Sequence, residues 1–380
     1  MGLFRACAAA LLLVASACAT PASAQQPRVS IQFDTSLADR SLALACSGQA
    51  VNEAAIRSSP LVQAQIRHNS ALKPTATMDA YVAAMRALSA CQAPADDPFN
   101  VAQILADRDG FRGKIGALTA RRDELSSRVA AMLAPYMPPG PRYTGNVVLA
   151  VPYFSCGGFS FEQYFFIDID CMNAGLEGDF DGVRLLIAHE TFHAIQAQRY
   201  FHVIDEPNEV TDRATALEFM FGSLLWEGMA EHVAPTSELA GTTGGGRLTD
   251  IFRRFYQDNS NRVRSNFGAT SLLIEYVADA SDADAQRRAT AAYTMGFSGT
   301  YEQFSYYVGD RMAKDIETAW GRDALVCVTQ LPPEQFVLAH DAVMRDVPDA
   351  RKLSAATVAA AQWLATTRHG TGTFERCRAH

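Results

Sequence analysis

The sequence predicts an α+β fold that is mainly α-helical, with a small β-sheet beside one long helix. Three observations predict it. Apolar residues recur at helical spacing over most of the 380-residue chain. Only residues 146–151 and 164–170 have the continuous apolar run or the strict alternation that is typical of strands. Both stretches come shortly before residues 183–200, a helical pattern that contains no glycine or proline.

The composition restricts the class of function. Hydrophobic residues make up 48% of the chain and charged residues 19%, as in ordinary globular proteins. The formal net charge is −8, and no lysine- or arginine-rich run occurs, so we expect no nucleic-acid partner. Past the amino terminus, no apolar run is long enough to span a bilayer, so we expect no transmembrane segment.

Residues 1–24 predict a secretory signal peptide. Arg5 gives a short basic start, residues 8–14 are apolar, and residues 22–24 read Ala-Ser-Ala, which fits a cleavage site. We therefore expect a periplasmic or secreted protein that is cleaved after Ala24. The alternative is a lipoprotein that carries its lipid on Cys18.

Export would leave six cysteines in the mature chain, and an even number in an exported protein predicts disulfide bonds. Their order along the chain favours pairing between neighbours. We expect the pairs Cys46–Cys91, Cys156–Cys171 and Cys327–Cys377. None of the spacings is C-x-x-C, which argues against a zinc site made of cysteines.

Residues 25–140 predict a helical amino-terminal lobe, which we expect to form one wall of a cleft. Helical spacing is clear at residues 78–88 and 101–133. His68 is the only histidine of this region, and we expect it to face solvent or to cap a helix. Four prolines and one glycine within residues 135–141 predict the boundary of the lobe.

The helix predicted at residues 183–200 carries His189, Glu190 and His193 in the order H-E-x-x-H. Positions i and i+4 lie on one face of a helix, so both imidazoles can reach a single metal ion. Glu190 lies about 100° further round the helix, where its carboxylate can hold the attacking water. Neutral imidazoles favour zinc, and the predicted cofactor is therefore Zn²⁺.

A catalytic zinc ion takes three protein ligands, and we expect the third from the helical pattern at residues 212–233. Glu227 and Glu231 lie at i and i+4, so they share one face of this helix. Gly228 beside them permits a second helix to approach closely. Glu227 is the first candidate. The alternatives are Glu231, Glu218, His202 and His232.

A later helical pattern at residues 301–320 contains Tyr306 and Tyr307. Hydrolysis of a carbonyl compound needs a donor for the oxyanion, and a tyrosine hydroxyl from a later helix can supply it. Either tyrosine could take this role, and the alternative is that both are aromatic core residues. Gly309, about one turn after Tyr306, predicts close helix packing in both cases.

The two helices together resemble the active site of the gluzincin zinc metallopeptidases. The resemblance rests on His189-Glu190-x-x-His193, followed by Glu227 in the order Glu-Gly-x-Ala, and it extends over about residues 183–234. It implies that both histidines and Glu227 are zinc ligands and that Glu190 is the general base. Thermolysin-like members place a carboxylate four residues after the ligand glutamate, which implies that Glu231 hydrogen-bonds the first metal histidine.

The resemblance further implies a zincin-like fold and a zinc-dependent peptidase that hydrolyses peptide or protein substrates, and the predicted signal peptide implies that this peptidase is exported. Residues 141–330 would form the catalytic region, and residues 331–380 a helical tail packed on it. An outer strand of the sheet could pair with an extended substrate, or the strands could merely pack on the helix. Two other functions remain open: a zinc-dependent amidase or other hydrolase for a non-peptide substrate, and a non-catalytic periplasmic binding or scaffold protein with a structural or vestigial metal site.

Overall fold

A computed structural model describes residues 29–138, 140, 142–151, 157–161, 164–172, 176–200, 204, 207–370 and 373–379. The fold is α+β and mainly helical, as predicted. The helices before the main sheet segment are α1 (Ser36–Leu44), α2 (Glu53–Arg57), α3 (Pro60–Leu72), α4 (Met78–Ser89), α5 (Val101–Ala106), α6 (Arg108–Ala120) and α7 (Arg122–Leu133). Those after it are α8 (Phe180–Arg199), α9 (Arg213–Val233), α10 (Arg247–Asn261), α11 (Val263–Ala278), α12 (Asp282–Phe297), α13 (Phe304–Trp320), α14 (Arg322–Val328), α15 (Glu334–Met344) and α16 (Ala355–Leu364).

The β part of the fold is a four-stranded mixed sheet. Its strands are β1 (Val29–Asp34), β2 (Tyr143–Ala150), β3 (Gly157–Phe161) and β4 (Tyr164–Asp168). Their order across the sheet is β1-β2-β4-β3, with β2 parallel to both β1 and β4, and β3 antiparallel to β4. The two predicted strands are therefore neighbours in the sheet, and β3 between them in sequence forms one edge.

Strand β1 corrects the prediction that the amino-terminal region is helical throughout. Its burial alternates, with Val29 and Ile31 turned into the core, which is the period of a half-buried strand. The strand pairs in parallel with β2, where Val29 lies opposite Tyr143. The amino-terminal region thus contributes a strand to the same sheet as the later strands.

Helix α9 is the central helix of the larger, helical part. Every residue from Thr215 to Leu225 is buried, because α9 packs against α8, α11, α12 and α13 on different sides. A helix that is apolar around most of its circumference is stable only when it is surrounded in this way. Helix α8 packs both on α9 and on the sheet, so it joins the two parts of the fold.

His68 on α3 departs from its predicted exposed position. Its ring stacks on Phe159 of β3, with 3.8 Å between ring centroids and 4° between the planes. Burial lowers the pKa of His68 to about 4, so the imidazole is neutral at physiological pH. It fixes α3 to the edge strand.

Two of the three expected disulfides are confirmed, Cys46–Cys91 and Cys327–Cys377. The partner Cys156 of the third expected pair lies outside the described residues. Among the helices that the structure describes, none is both long and apolar enough to cross a membrane.

Candidate metal centre

Helices α8 and α9 hold the residues of the H-E-x-x-H motif and Glu227. Helix α8 starts three residues before the predicted range, at Phe180, and ends one residue before the end of that range, at Arg199. Helix α9 begins at a capping box, in which Thr215 N donates to Asp212 Oδ1 over 2.7 Å and Asp212 N donates to Thr215 Oγ1 over 2.9 Å. This cap sets the start of α9, whose last turns carry Glu227.

The three side chains meet at a single point between the two helices. His193 Nε2 lies 3.1 Å from His189 Nε2 and 3.1 Å from Glu227 Oε2, and His189 Nε2 lies 3.3 Å from the same carboxylate oxygen. Each side chain is between 11% and 15% exposed, so the point is reachable from solvent. In the described part of the chain, the group of side chains that could hold a metal ion consists of His189, His193 and Glu227.

These distances fit a tetrahedral zinc site. Ligand atoms about 2.0–2.1 Å from a tetrahedral ion lie about 3.3–3.4 Å from one another. The observed separations of 3.1–3.3 Å are close to that value. Two imidazoles and one carboxylate are also a donor set that catalytic zinc uses, and three ligands leave one coordination position open.

The same three groups perturb one another electrostatically. Burial lowers the pKa of His193, but the neighbouring carboxylates of Glu227 and Glu190 outweigh it and raise that pKa to about 9. Burial opposes ionisation of Glu227, yet its contacts with the two histidines hold its pKa well below the ordinary value. Without a metal ion, His193 is therefore protonated, and its positive charge balances the carboxylate of Glu227.

Gln196 orients His193, a role that the sequence analysis did not predict. Its Oε1 lies 2.7 Å from His193 Nδ1, and its Nε2 donates to Trp226 O over 3.0 Å. Because the amide nitrogen faces a carbonyl, the amide oxygen must accept from Nδ1–H, which leaves Nε2 directed at the metal position. The sequence shows a glutamine three residues after the second histidine, which is a signal for this role. The backbone oxygen of Trp226, which fixes the orientation of the amide, lies on another helix and could not be inferred from that spacing.

Ser160 ties Glu190 to the edge strand β3. Its Oγ lies 2.7 Å from Glu190 O and 3.2 Å from Glu190 Oε2. The carboxylate of Glu190 is partly exposed and lines the cleft described below. Sequence reasoning missed Ser160, because β3 was expected to be a connection.

The two candidate tyrosines lie in different surroundings. The ring of Tyr306 is parallel to that of His189, with 5.8 Å between centroids, and its hydroxyl is close enough to Glu227 to feel the charge of that carboxylate. Burial and the charge of Glu227 raise the pKa of Tyr306 well above its ordinary value, so it remains a hydrogen-bond donor. The Tyr307 hydroxyl lies 3.3 Å from Thr236 Oγ1 instead. The structure brings Tyr306, and not Tyr307, next to His189 and Glu227.

A contact between two glycines brings α13 close to α9. A Cβ atom on Gly228 would lie 2.3 Å from Gly309 Cα, and one on Gly309 would lie 2.4 Å from Leu224 O. Side chains larger than hydrogen are therefore excluded at this crossing. Tyr306 lies about one turn before Gly309 on α13, so the close approach also sets its distance from Glu227.

The alternative third ligands have other partners. Glu231 Oε1 accepts hydrogen bonds from Thr236 N and Oγ1, over 3.0 and 2.5 Å, and none of the hydrogen bonds among the described residues joins Glu231 to His189. His232 bonds Asp310 and Glu317, and Glu218 pairs with Arg368. His202 lies outside the described residues. The expected hydrogen bond between Glu231 and His189 stays a prediction.

A cleft of about 290 Å³ opens beside His189 and Glu190. Its described lining comes from β3, α8, the end of α9 and the residues after it, α10 and the region around the start of α13. The prediction that the amino-terminal helices form one wall does not hold for the described lining, which contains none of their residues. Helices α1, α3 and α7 pack on strands of the sheet, and α10 lines the cleft instead.

The family model “Putative zinc dependent peptidase (DUF5700)” matches residues 55–347, which is more than half of the chain. The chain belongs to this family. The matched range of the DUF5700 family includes α8, α9 and α13, and thus every residue of the site described above. No curated protein and no solved structure matches the chain.

Proposed function

We propose that this protein is an exported zinc-dependent peptidase with a zincin-like catalytic region, in which His189, His193 and Glu227 hold the metal. The observation that carries the proposal is the convergence of their three donor atoms within 3.3 Å of one another, next to a cleft that Glu190 also lines. The family description supports the same chemistry. A hydrolase of non-peptide amides would use the same residues, so substrate profiling separates the two.

Zinc at this position would supply a Lewis acid for the substrate carbonyl and an activated water at neutral pH. The protein supplies the groups that orient and protonate. Gln196 holds the His193 ring with Nε2 toward the metal position. The Tyr306 ring lies parallel to that of His189, so it limits the tilt of that imidazole.

Glu190 is the proposed general base. Its carboxylate lines the cleft on the same helix as the two histidines, so it can accept the proton of the attacking water and return it to the leaving amine. Ser160, 3.2 Å from Glu190 Oε2, restricts the rotamer of this side chain. One carboxylate can then serve both proton transfers without moving far.

Tyr306 is the proposed donor to the oxyanion. Its ring lies beside His189 and its hydroxyl near Glu227, and its raised pKa keeps the proton on the oxygen. A donor placed before the reaction stabilises the developing charge without reorganisation. Tyr307, which faces Thr236, is the second candidate.

Strand β3 supports a peptide as the substrate. It is the edge of the sheet, pairs with β4 among the described residues, and packs against α8, which carries Glu190. A free strand edge can add an extended peptide through main-chain hydrogen bonds. Such a peptide would run along the cleft past Glu190.

Export is the remaining part of the proposal. The two disulfides are typical of oxidising compartments outside the cytosol. Residues 1–24, which carry the predicted signal peptide, lie outside the described residues. Sequencing the mature amino terminus tests it: a start at Gln25 supports cleavage after Ala24, and a lipidated Cys18 supports anchoring instead.

The test of catalysis is Glu190→Gln, with the exposed Glu209→Gln as a matched change elsewhere. We expect Glu190→Gln to retain one zinc per chain and to lose hydrolysis of a quenched fluorescent peptide library, while Glu209→Gln keeps both. His193→Ala should lose the zinc. Unchanged peptide hydrolysis in Glu190→Gln contradicts the assignment of Glu190 as the general base. A wild-type protein that folds but binds no zinc contradicts the proposal of a zinc-dependent enzyme.

A further inference from the structure

The cleft beside the candidate metal centre has one apolar wall. Its side chains come from α8 and α10, and the lining residues of this wall are Leu185, Leu186, Leu248, Ile251, Phe252 and Phe255. An apolar wall of this size can cover the hydrocarbon part of a substrate side chain. It does not by itself determine what lies at the tip of that side chain.

The polar end of the same cleft is formed by Glu231, Thr236 and Tyr307. Glu231 is 5% exposed, yet it lines the cleft. Thr236 donates two hydrogen bonds, from its backbone nitrogen and its hydroxyl, and both go to Glu231 Oε1. No described residue hydrogen-bonds Oε2, so one oxygen of a fixed carboxylate is left for a ligand.

Among the described residues, this end of the cleft has no cation of its own. Glu190 and Glu231 are both in the lining, and the described lining contains no lysine or arginine. Asp310 adds further negative charge near Glu231. His232, the next residue along α9, is not a counter-ion for Glu231, because its two ring nitrogens bond Asp310 and Glu317 over 3.2 and 2.7 Å.

The state of Glu231 agrees with this account. Burial, followed by the charge of Asp310, raises the pKa of Glu231 to about 8, against the effect of the two Thr236 donors. A buried carboxylate is costly unless it is paired, and a cation from outside the protein would provide the pair. At neutral pH the carboxyl of Glu231 is therefore largely protonated in the empty cleft, and a bound cation would shift it to the ionised form.

We propose that Glu231 forms the end of a specificity pocket for a lysine or arginine side chain of the substrate, next to the bond that is cleaved. The aliphatic stem would lie along the wall made by α8 and α10, and the charged head would bond Glu231 Oε2. This inference rests on the proposed peptidase function and adds its substrate class. It assigns Glu231 a contact with substrate in place of the expected contact with His189.

The experiment compares peptides that differ in one side chain beside the cleaved bond: lysine, arginine, and norleucine, which lacks only the charged group of lysine. For the wild type we expect kcat/KM to be roughly 10- to 100-fold higher for lysine than for norleucine, because a charged hydrogen bond is lost. Glu231→Gln should abolish most of this ratio, and Glu209→Gln should keep it. A merely structural role for Glu231 would lower both values together and leave the ratio unchanged.

A second variant and a binding measurement keep the two proposals separate. Glu231→Asp retracts the carboxylate by one methylene and should favour arginine, whose side chain reaches further, over lysine. Equal cleavage of lysine and norleucine peptides by the wild type overturns the pocket and leaves the peptidase intact. If no peptide is cleaved, the peptidase fails, and binding of the same peptides decides the pocket: equal affinity for lysine and norleucine peptides overturns it, and tighter lysine binding that is lost in Glu231→Gln supports it.

Discussion

Gln196 Oε1 lies 2.7 Å from His193 Nδ1, and the same amide donates to the backbone oxygen of Trp226, the residue before Glu227. One fully buried side chain thus contacts one candidate zinc ligand directly and the chain next to another. Such hydrogen bonds fix the tautomer and direction of a metal-binding imidazole. Gln196 therefore links the positions of the ligands on α8 and α9.

Gln196→Ala should weaken zinc binding by roughly 10- to 100-fold, because His193 loses its hydrogen-bond partner and α9 loses a contact. Competition with a chromophoric chelator measures the affinity. Gln198→Ala is the matched control, since Gln198 is exposed on the same helix. Equal zinc affinity in both variants would show that Gln196 does not orient the ligand.

Gly309→Ala should destabilise the protein by about 1–3 kcal/mol, as overpacking does. The added methyl group would lie 2.4 Å from Leu224 O, so α13 must move away from α9. Because Tyr306 moves with α13, kcat should fall as well. Urea unfolding and peptide hydrolysis measure the two effects.

Gly268→Ala is the control for helix propensity, because a Cβ atom at Gly268 in α11 meets no atom within 4 Å. Alanine there should stabilise the protein by about 0.5–1 kcal/mol. A similar gain in Gly309→Ala would contradict the close contact between α9 and α13.

Sequence reasoning was most successful where the determining contacts are local. Positions i and i+4 on one helix follow from helical geometry, so the shared face of His189 and His193 could be read directly. The role of Gly228 in close helix approach was also predictable, although its partner Gly309 was recognised separately and not as the opposite half of one contact.

Contacts between distant segments were missed. The pairing of β1 with β2 joins Val29 to Tyr143, and six alternating residues are too short a signal to predict it. The cleft wall made by α10 and the stack of His68 on Phe159 likewise depend on how helices pack on the sheet. Spacing within one segment carries no information about these neighbours.

The charge state of His193 predicts a pH dependence of the metal-free protein. Its folded pKa, about 9, is above the ordinary value of 6.5, so its stabilising contribution is complete below pH 6.5 and is lost as the pH rises through 9. The pKa of Glu227 is lowered, so its contribution is present above the ordinary value of 4.5 and is lost as the pH falls through its folded value. The pair should therefore stabilise the metal-free protein most between pH 4.5 and 6.5.

The measurement is the free energy of unfolding in the presence of a chelator, for the wild type and for His193→Ala, at about pH 6 and about pH 9.5. The advantage of the wild type should shrink at the higher pH. Zinc-loaded protein should not show this loss, because the metal replaces the proton on His193. A constant difference between the two proteins at both pH values would exclude a proton shared between His193 and Glu227.

Tyr306→Phe separates the two candidate oxyanion donors. Tyr306 lies near Glu227 with its ring parallel to that of His189, whereas the hydroxyl of Tyr307 lies 3.3 Å from Thr236 Oγ1. Removing one such donor lowers kcat by about 10²–10³-fold, because only the transition state carries the negative charge that the hydroxyl stabilises. We therefore expect this loss in Tyr306→Phe with little change in KM, and a smaller loss in Tyr307→Phe. Zinc content must be measured in parallel, since the ring of Tyr306 also lies against His189, a proposed ligand. Equal losses of kcat in Tyr306→Phe and Tyr307→Phe at full zinc content would show that the Tyr306 hydroxyl is not the oxyanion donor.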